Sequence, residues 1–176
     1  ANTFEAVARE WWEDRHRLDS TPAHAERNLR RLELYIFPHL GTDPIAGIDS
    51  LRLLNALRSL ERAGKVPTAH KVKDVCSQVF EYAIVTNRAT ANPAKGLGRR
   101  ALRPEKEKHH PAPETPEQLA QLLRAIDKYG GEPTTMAALK LSALLFPRPG
   151  ELRSAQWDDF DLEAGTWDFS PSKGGR

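Results

Sequence analysis

Cysteine is almost missing from this 176-residue chain, which carries only Cys76, on an apolar helical stripe. A single thiol excludes an internal disulfide and any cysteine-based metal site, and it suits a reducing cytosol. Long apolar runs are missing as well. No stretch approaches the roughly 18 apolar residues of a membrane span. The start of the chain has no basic segment followed by an apolar run, so neither insertion nor secretion is supported. Net charge is also small, +2 from 26 basic and 24 acidic side chains, and points to no partner by itself.

The charge that is present is unevenly placed. Residues 95 to 110 hold Lys95, Arg99, Arg100, Arg103, Lys106 and Lys108 against Glu105 and Glu107, which leaves the rest of the chain net acidic. The same stretch contains Gly96, Gly98, Pro104 and Pro111, with Pro113 just beyond and almost no apolar periodicity. It reads as an extended interdomain connector over 96–113. A basic connector is either the footprint of a protein that touches nucleic acid at its waist or a linker kept solvated by its own charges. The length fits one ordinary domain or two small ones, and this break favours two, 1–95 and 114–176.

The first of them has four helical patterns. Phe4, Val7, Ala8, Trp11 and Leu18 follow Asn2 and Thr3 as N-cap candidates, and Leu29, Leu32 and Ile36 follow Ser20-Thr21-Pro22, with Pro38 as a stop. Leu51, Leu54, Leu57 and Leu60 run from Asp49-Ser50 to Gly64. The strongest stripe is Val72, Val75, Cys76, Val79, Phe80, Ala83 and Ile84. Opposite it lie His70, Lys71, Asp74, Ser77 and Gln78, groups suited to phosphates and base edges in a major groove, or simply to water.

The second begins with Thr115-Pro116-Glu117-Gln118, a capping-box pattern with proline at N1. Leu119, Leu122, Leu123, Ile126 and Tyr129 face one way on the helix it opens. Residues 137–145 are apolar nearly all round, as for a helix buried in a core. Then comes Phe146-Pro147-Arg148-Pro149-Gly150-Glu151. Pro147 fixes its own φ, and Pro149 pushes Arg148 out of the helical region while supplying N1 for the next helix. Glu151 falls at N3, where a carboxylate favours the helix dipole. Such a corner holds a guanidinium still, as a phosphate clamp needs, or is a helix-proline corner with an incidental surface arginine. Thr166–Ser170 alternates as a strand after the turn at Gly165 and leads to Lys173 between Ser172 and Gly174.

The run from Leu144 to Leu152, with Trp157-Asp158-Asp159-Phe160-Asp161 behind it, resembles the first arginine box of the tyrosine recombinases, above all integrases of prophages and genomic islands. Thr3–Ala8, Ser77–Ala83, Asn92-Pro93-Ala94 and Lys108-His109-His110 are similar to the same proteins, so the resemblance spans essentially the whole chain. It departs at Leu145-Phe146, where the family usually has Thr-Gly or a similar small pair.

The resemblance implies a mainly α fold: a four-helix, SAM-like core-binding domain followed by an incomplete α+β catalytic domain. It implies DNA integration through a covalent 3′-phosphotyrosine, with no metal and no cofactor. Arg148 would be the first catalytic arginine, Lys173 the acid for the leaving 5′-oxygen, and Glu151 a support. Candidate DNA contacts are Arg27, Arg30 and Arg31 on the second helix, and Lys65, Thr68, His70, Lys71 and Lys73 around the fourth. Arg99, Arg100, Arg103, Lys106 and Lys108 on the connector join them. The implied partner is duplex DNA at attachment sites in a bacterial cytoplasm, associated with the nucleoid. The full-length parent would act as a tetramer and this fragment would be monomeric. Tyr35, Tyr82 and Tyr129 do not match the nucleophile's context, and no His-x-x-Arg box follows Arg148, so the 176-residue fragment is expected to be inactive. The alternatives are a non-catalytic DNA-binding module, such as an excision or partition accessory factor, and a helical interaction domain.

Overall fold

The structure is a computed structural model that describes residues 2–98, 101–104 and 110–168. It is mainly helical and divides into two compact units, Ala1–Lys108 and His109–Arg176.

In the first unit α1, Phe4–Trp11, is capped by Thr3, whose hydroxyl accepts the Ala6 N–H. The helix then widens into a π turn, Trp12–His16, and closes with α2, Arg17–Asp19. A π turn aligns residues five apart. His16 therefore stacks on Trp11, with centroids 4.5 Å apart and planes 19° apart. The wide turn takes Leu18 off the face of Trp11 and leaves it exposed, contrary to the helical spacing.

Then come α3, Pro22–Tyr35, and a short α4, Phe37–Leu40, in whose first turn Pro38 sits. A 3-10 turn, Ile45–Gly47, precedes α5, Ser50–Arg62, which Asp49 caps by accepting the Arg52 N–H at 2.8 Å. The buried stripe of α5 is Leu53, Ala56, Leu57 and Leu60. Leu51 is exposed and Leu54 only half-buried, so the expected stripe is turned toward its neighbour by one residue. Gly64, at φ +73°, lets the Lys65 N–H reach back to the Leu60 carbonyl and ends the helix in a left-handed cap.

The next helix, α6, Val66–Val85, buries six of its seven expected stripe residues, with Ile84 half-buried. It runs beside α1, α3 and α5, and Phe80 meets Phe4 at 5.4 Å. Each large side chain so enclosed contributes roughly 1.5–3 kcal/mol. The short α7, Pro93–Gly96, is fixed by Asn92, which donates to the Ser77 carbonyl and to Glu81 and accepts the Ala94 N–H.

Part of the expected connector belongs to this unit. Leu97 and Leu102 are buried in the same core as Phe4 and Phe80, because two apolar side chains among the glycines and cations find a hydrophobic seat there.

The second unit has α8, Pro116–Asp127, α9, Pro133–Leu145, and α10, Pro149–Ser154. A 3-10 turn, Trp157–Asp159, follows. The capping box of α8 is present in both directions, Thr115 to Gln118 and back. Strands β1, Phe160–Asp161, and β2, Thr166–Trp167, pair antiparallel with Phe160 opposite Trp167. Those two rings stack at 5.2 Å. Periodicity announces β2 but not β1.

The helix expected to be buried is not. No residue of α9 is buried, and Leu144 and Leu145 are exposed. Among the described residues α8 and α10 are the elements that pack most along it, and two helices cannot enclose a helix that is apolar all round.

Candidate active-site corner and nucleic-acid interface

Arg148 is the N-cap of α10, with φ −66° and ψ 144°. The flanking prolines hold it in the extended region, as proline chemistry requires. Glu151, one turn on, meets it twice. One carboxylate oxygen accepts the Arg148 N–H at 2.8 Å and the other accepts the guanidinium Nη1 at 3.0 Å. The Glu151 side chain is only 6% exposed, whereas that of Arg148 is 58% exposed. A fixed carboxylate thus aims a cation that solvent still reaches, and charge-assisted bonds of this kind are the stronger class of hydrogen bond. The expected role of Glu151 at N3 is with the helix dipole, and the direct contacts to Arg148 add to it.

Phe146 enters the corner left-handed, at φ 51° and ψ 36°, and is 84% exposed. That backbone region costs a non-glycine residue roughly 1–2 kcal/mol. It lies where the family pattern prefers a small pair ending in glycine, so the departure at Phe146 keeps a conformation that glycine adopts freely.

The candidate contacts of the first unit fall into two groups. Along α3, Arg27 is exposed, Arg30 lies 3.4 Å from Glu33, and Arg31 donates to the Asn28 side-chain oxygen at 2.8 Å. Near the start of α6, the Lys65 ammonium sits over the Tyr35 ring at 5.2 Å. Thr68 and Lys73 are half-buried, Lys71 is exposed, and Lys73 is 3.8 Å from Asp74. His70 is committed elsewhere: its Nε2 lies 2.8 Å from the Arg103 carbonyl. Arg99, Arg100, Lys106, Lys108 and Lys173 lie outside the described residues.

Two features escape sequence reasoning. Asn28 is buried and places its amide nitrogen 2.9 Å from His16 Nε2 and 3.0 Å from His24 Nε2, while its oxygen holds Arg31. The π turn that brings His16 there leaves no signal in apolar spacing. Glu61 is also buried and accepts the Arg103 N–H, across 42 residues.

Tyr82 is occupied structurally. It donates to Glu10 and Asp14, and burial with these two carboxylates pushes its phenol up to about 12. Arg88 binds Glu10 at 2.6 Å and, with the Tyr82 hydroxyl, holds that carboxyl below its ordinary range. Among the described residues no cluster of three or more His, Cys, Asp or Glu could hold a metal, and no helix is long and apolar enough to cross a membrane.

Comparison with known proteins agrees with this architecture. The profile of the phage integrase central domain matches residues 4–100. The integrase of Enterobacteria phage P4 is 38% identical over 95% of this chain and 37% of its own length. That of Shigella phage Sf6 is 31% identical over 92% of the chain and 41% of its own length. The chain therefore spans about two fifths of these relatives. Among solved structures, a lambda integrase tetramer bound to a Holliday junction matches 92% of this chain and 46% of its own. The TM-score is 0.74 at 17% identity, which shows a shared fold. The chain belongs to the phage integrase family of tyrosine recombinases.

Proposed function

We propose that this chain binds duplex DNA through its first unit and contributes the first catalytic arginine of a site-specific DNA recombinase through its second. The observation that carries this reading is the corner at Arg148, a half-exposed guanidinium fixed between two prolines and aimed by a buried carboxylate. Cleaving a phosphodiester without a metal needs a nucleophile, cations facing the charge that develops on the phosphorane, and an acid for the departing oxygen. Arg148 supplies a planar two-pronged donor for that charge. A tyrosine oxygen forms the new bond to phosphorus, the bond to the 5′-oxygen breaks, and Lys173 gives that oxygen its proton. None of Tyr35, Tyr82 or Tyr129 fits the nucleophile's part, and the 176-residue chain alone does not complete the reaction. Duplex attachment sites are the DNA partner, and assembly into a tetramer belongs to the complete recombinase.

A nicked suicide duplex tests the assignment with three proteins: the 176-residue chain, a complete integrase containing it, and that integrase with Arg148→Ala. The complete protein forms a covalent adduct. The variant binds with undiminished affinity and loses at least ~10²-fold in cleavage rate, about 3 kcal/mol of transition-state stabilisation. The chain alone binds and forms none. Undiminished adduct from the variant, or adduct from the chain alone, means that the active site lies elsewhere.

A further inference from the structure

The backbone of Arg103 is clasped from both sides. Its N–H is accepted by the buried Glu61 carboxylate on α5, its carbonyl faces His70 Nε2 on α6 at 2.8 Å, and Leu102 beside it is sunk in the core. The clasp builds one wall of an open notch of about 830 Å³, whose other residues include Asn55, Arg58 and Arg62. Arg58 and Arg62 are a turn apart on α5, so both project toward the docked segment. Elsewhere in this unit Arg9, Arg52 and Arg88 have carboxylate partners within 3.2 Å. Arg58, Arg62 and Arg103 have no ion pair among the described residues. Among the described residues that line the notch the one carboxylate, Glu61, is turned to a backbone N–H. Among the described residues three forked cations thus share a groove with one, already engaged, negative charge.

We propose that this notch seats phosphates of the duplex DNA backbone, and that Glu61 and His70 are positioning residues that hold Arg103 over it. The inference rests on the DNA-binding reading above and adds Arg58 and Arg62 to it. The notch is open and its arginines are solvated, so an isolated phosphate gains little there. A polyanion gains more, because each phosphate neutralised releases condensed counterions. The guanidinium fork also matches phosphate oxygens two at a time.

The test is the salt dependence of binding between the 176-residue chain and a short fluorescent duplex, with thermal unfolding recorded for every variant. Arg58→Ala/Arg62→Ala lowers the slope of log affinity against log salt by roughly one to two units, at about 0.9 for each phosphate that is no longer neutralised. Arg58→Lys/Arg62→Lys keeps the slope, since the charges remain. Glu61→Leu lowers it by as much as Arg103→Ala does, and combining the two adds nothing further, which a purely structural glutamate would not produce. A native-like double alanine variant with the wild-type slope overturns the notch while leaving the DNA-binding reading intact. Absence of any salt-dependent binding by the wild-type chain overturns that reading and the notch together.

Discussion

Phe80 and Leu144 are both large apolar side chains on long helices, one in each unit. Phe80 has no accessible surface and lies against Phe4, whereas Leu144 is 75% exposed. The contrast extends to whole units. The first encloses a continuous core from Phe4 to Leu102. Among the described residues of the second, only Glu151 is buried, and it is a charged residue that serves an arginine. The first unit is organised around its own interior, while the second displays an apolar helix and a finished corner without one. A helix apolar all round is written for neighbours on every side. Among the described residues, two helices and a two-stranded hairpin do not provide them.

This difference is easiest to break by cutting side chains. Phe80→Ala costs the first unit about 3–5 kcal/mol, and Leu144→Ala in the same chain changes stability by no more than ~0.5 kcal/mol, read by denaturant midpoints. A Leu144 variant that costs as much as the Phe80 variant would show that α9 is enclosed in solution.

Glu151→Ala comes next. It removes two hydrogen bonds to one arginine and costs the second unit about 1–2 kcal/mol after allowance for the exposed guanidinium. In a complete integrase it lowers the cleavage rate without altering DNA affinity. An unchanged rate would mean that Arg148 is aimed by its prolines alone. Phe146→Gly acts oppositely and more weakly: relief of the left-handed backbone, less the entropy of glycine, stabilises by about 0.5–1 kcal/mol. A loss of stability would reveal a packing role for that exposed ring.

The smallest effect is a slope. Burial, with His24 nearby, pushes the His16 imidazole below its ordinary 6.5. The unfolded chain therefore takes up the proton first as pH falls. Stability of the first unit is complete above pH 6.5 and declines below it, toward the lower folded value. The groups around His16 are Trp11, Asp19, Ser20, His24 and Asn28. His16→Gln flattens the dependence of the unfolding midpoint between pH 7.5 and 5.5, and an undiminished slope would assign it to other groups.

Much of the first unit is legible in its residues because α6 carries a full apolar stripe and Thr3 and Asp49 announce their caps, as Thr115 does in the second unit. What periodicity misreads has local causes. The π turn moves Leu18, a neighbouring register turns α5, and Leu97 with Leu102 draws part of a seemingly free connector into the core. The Arg148 corner is legible because proline acts on its neighbours through sterics alone. The Glu61–Arg103–His70 clasp is not, because it joins residues up to 42 positions apart that no local pattern relates.

The π turn Trp12–His16 also bears on chain length. His16, five positions after Trp11, fills the place that a residue four positions on would take in an ordinary helix. The segment therefore carries one residue in excess, and Glu13, Asp14 and Arg15 are all exposed. Deleting one of them is expected to close the turn to regular geometry and keep the imidazole on the Trp11 face, and Asp14 is the costlier choice because it accepts from Tyr82. At this point the helix can lose a letter without losing its place.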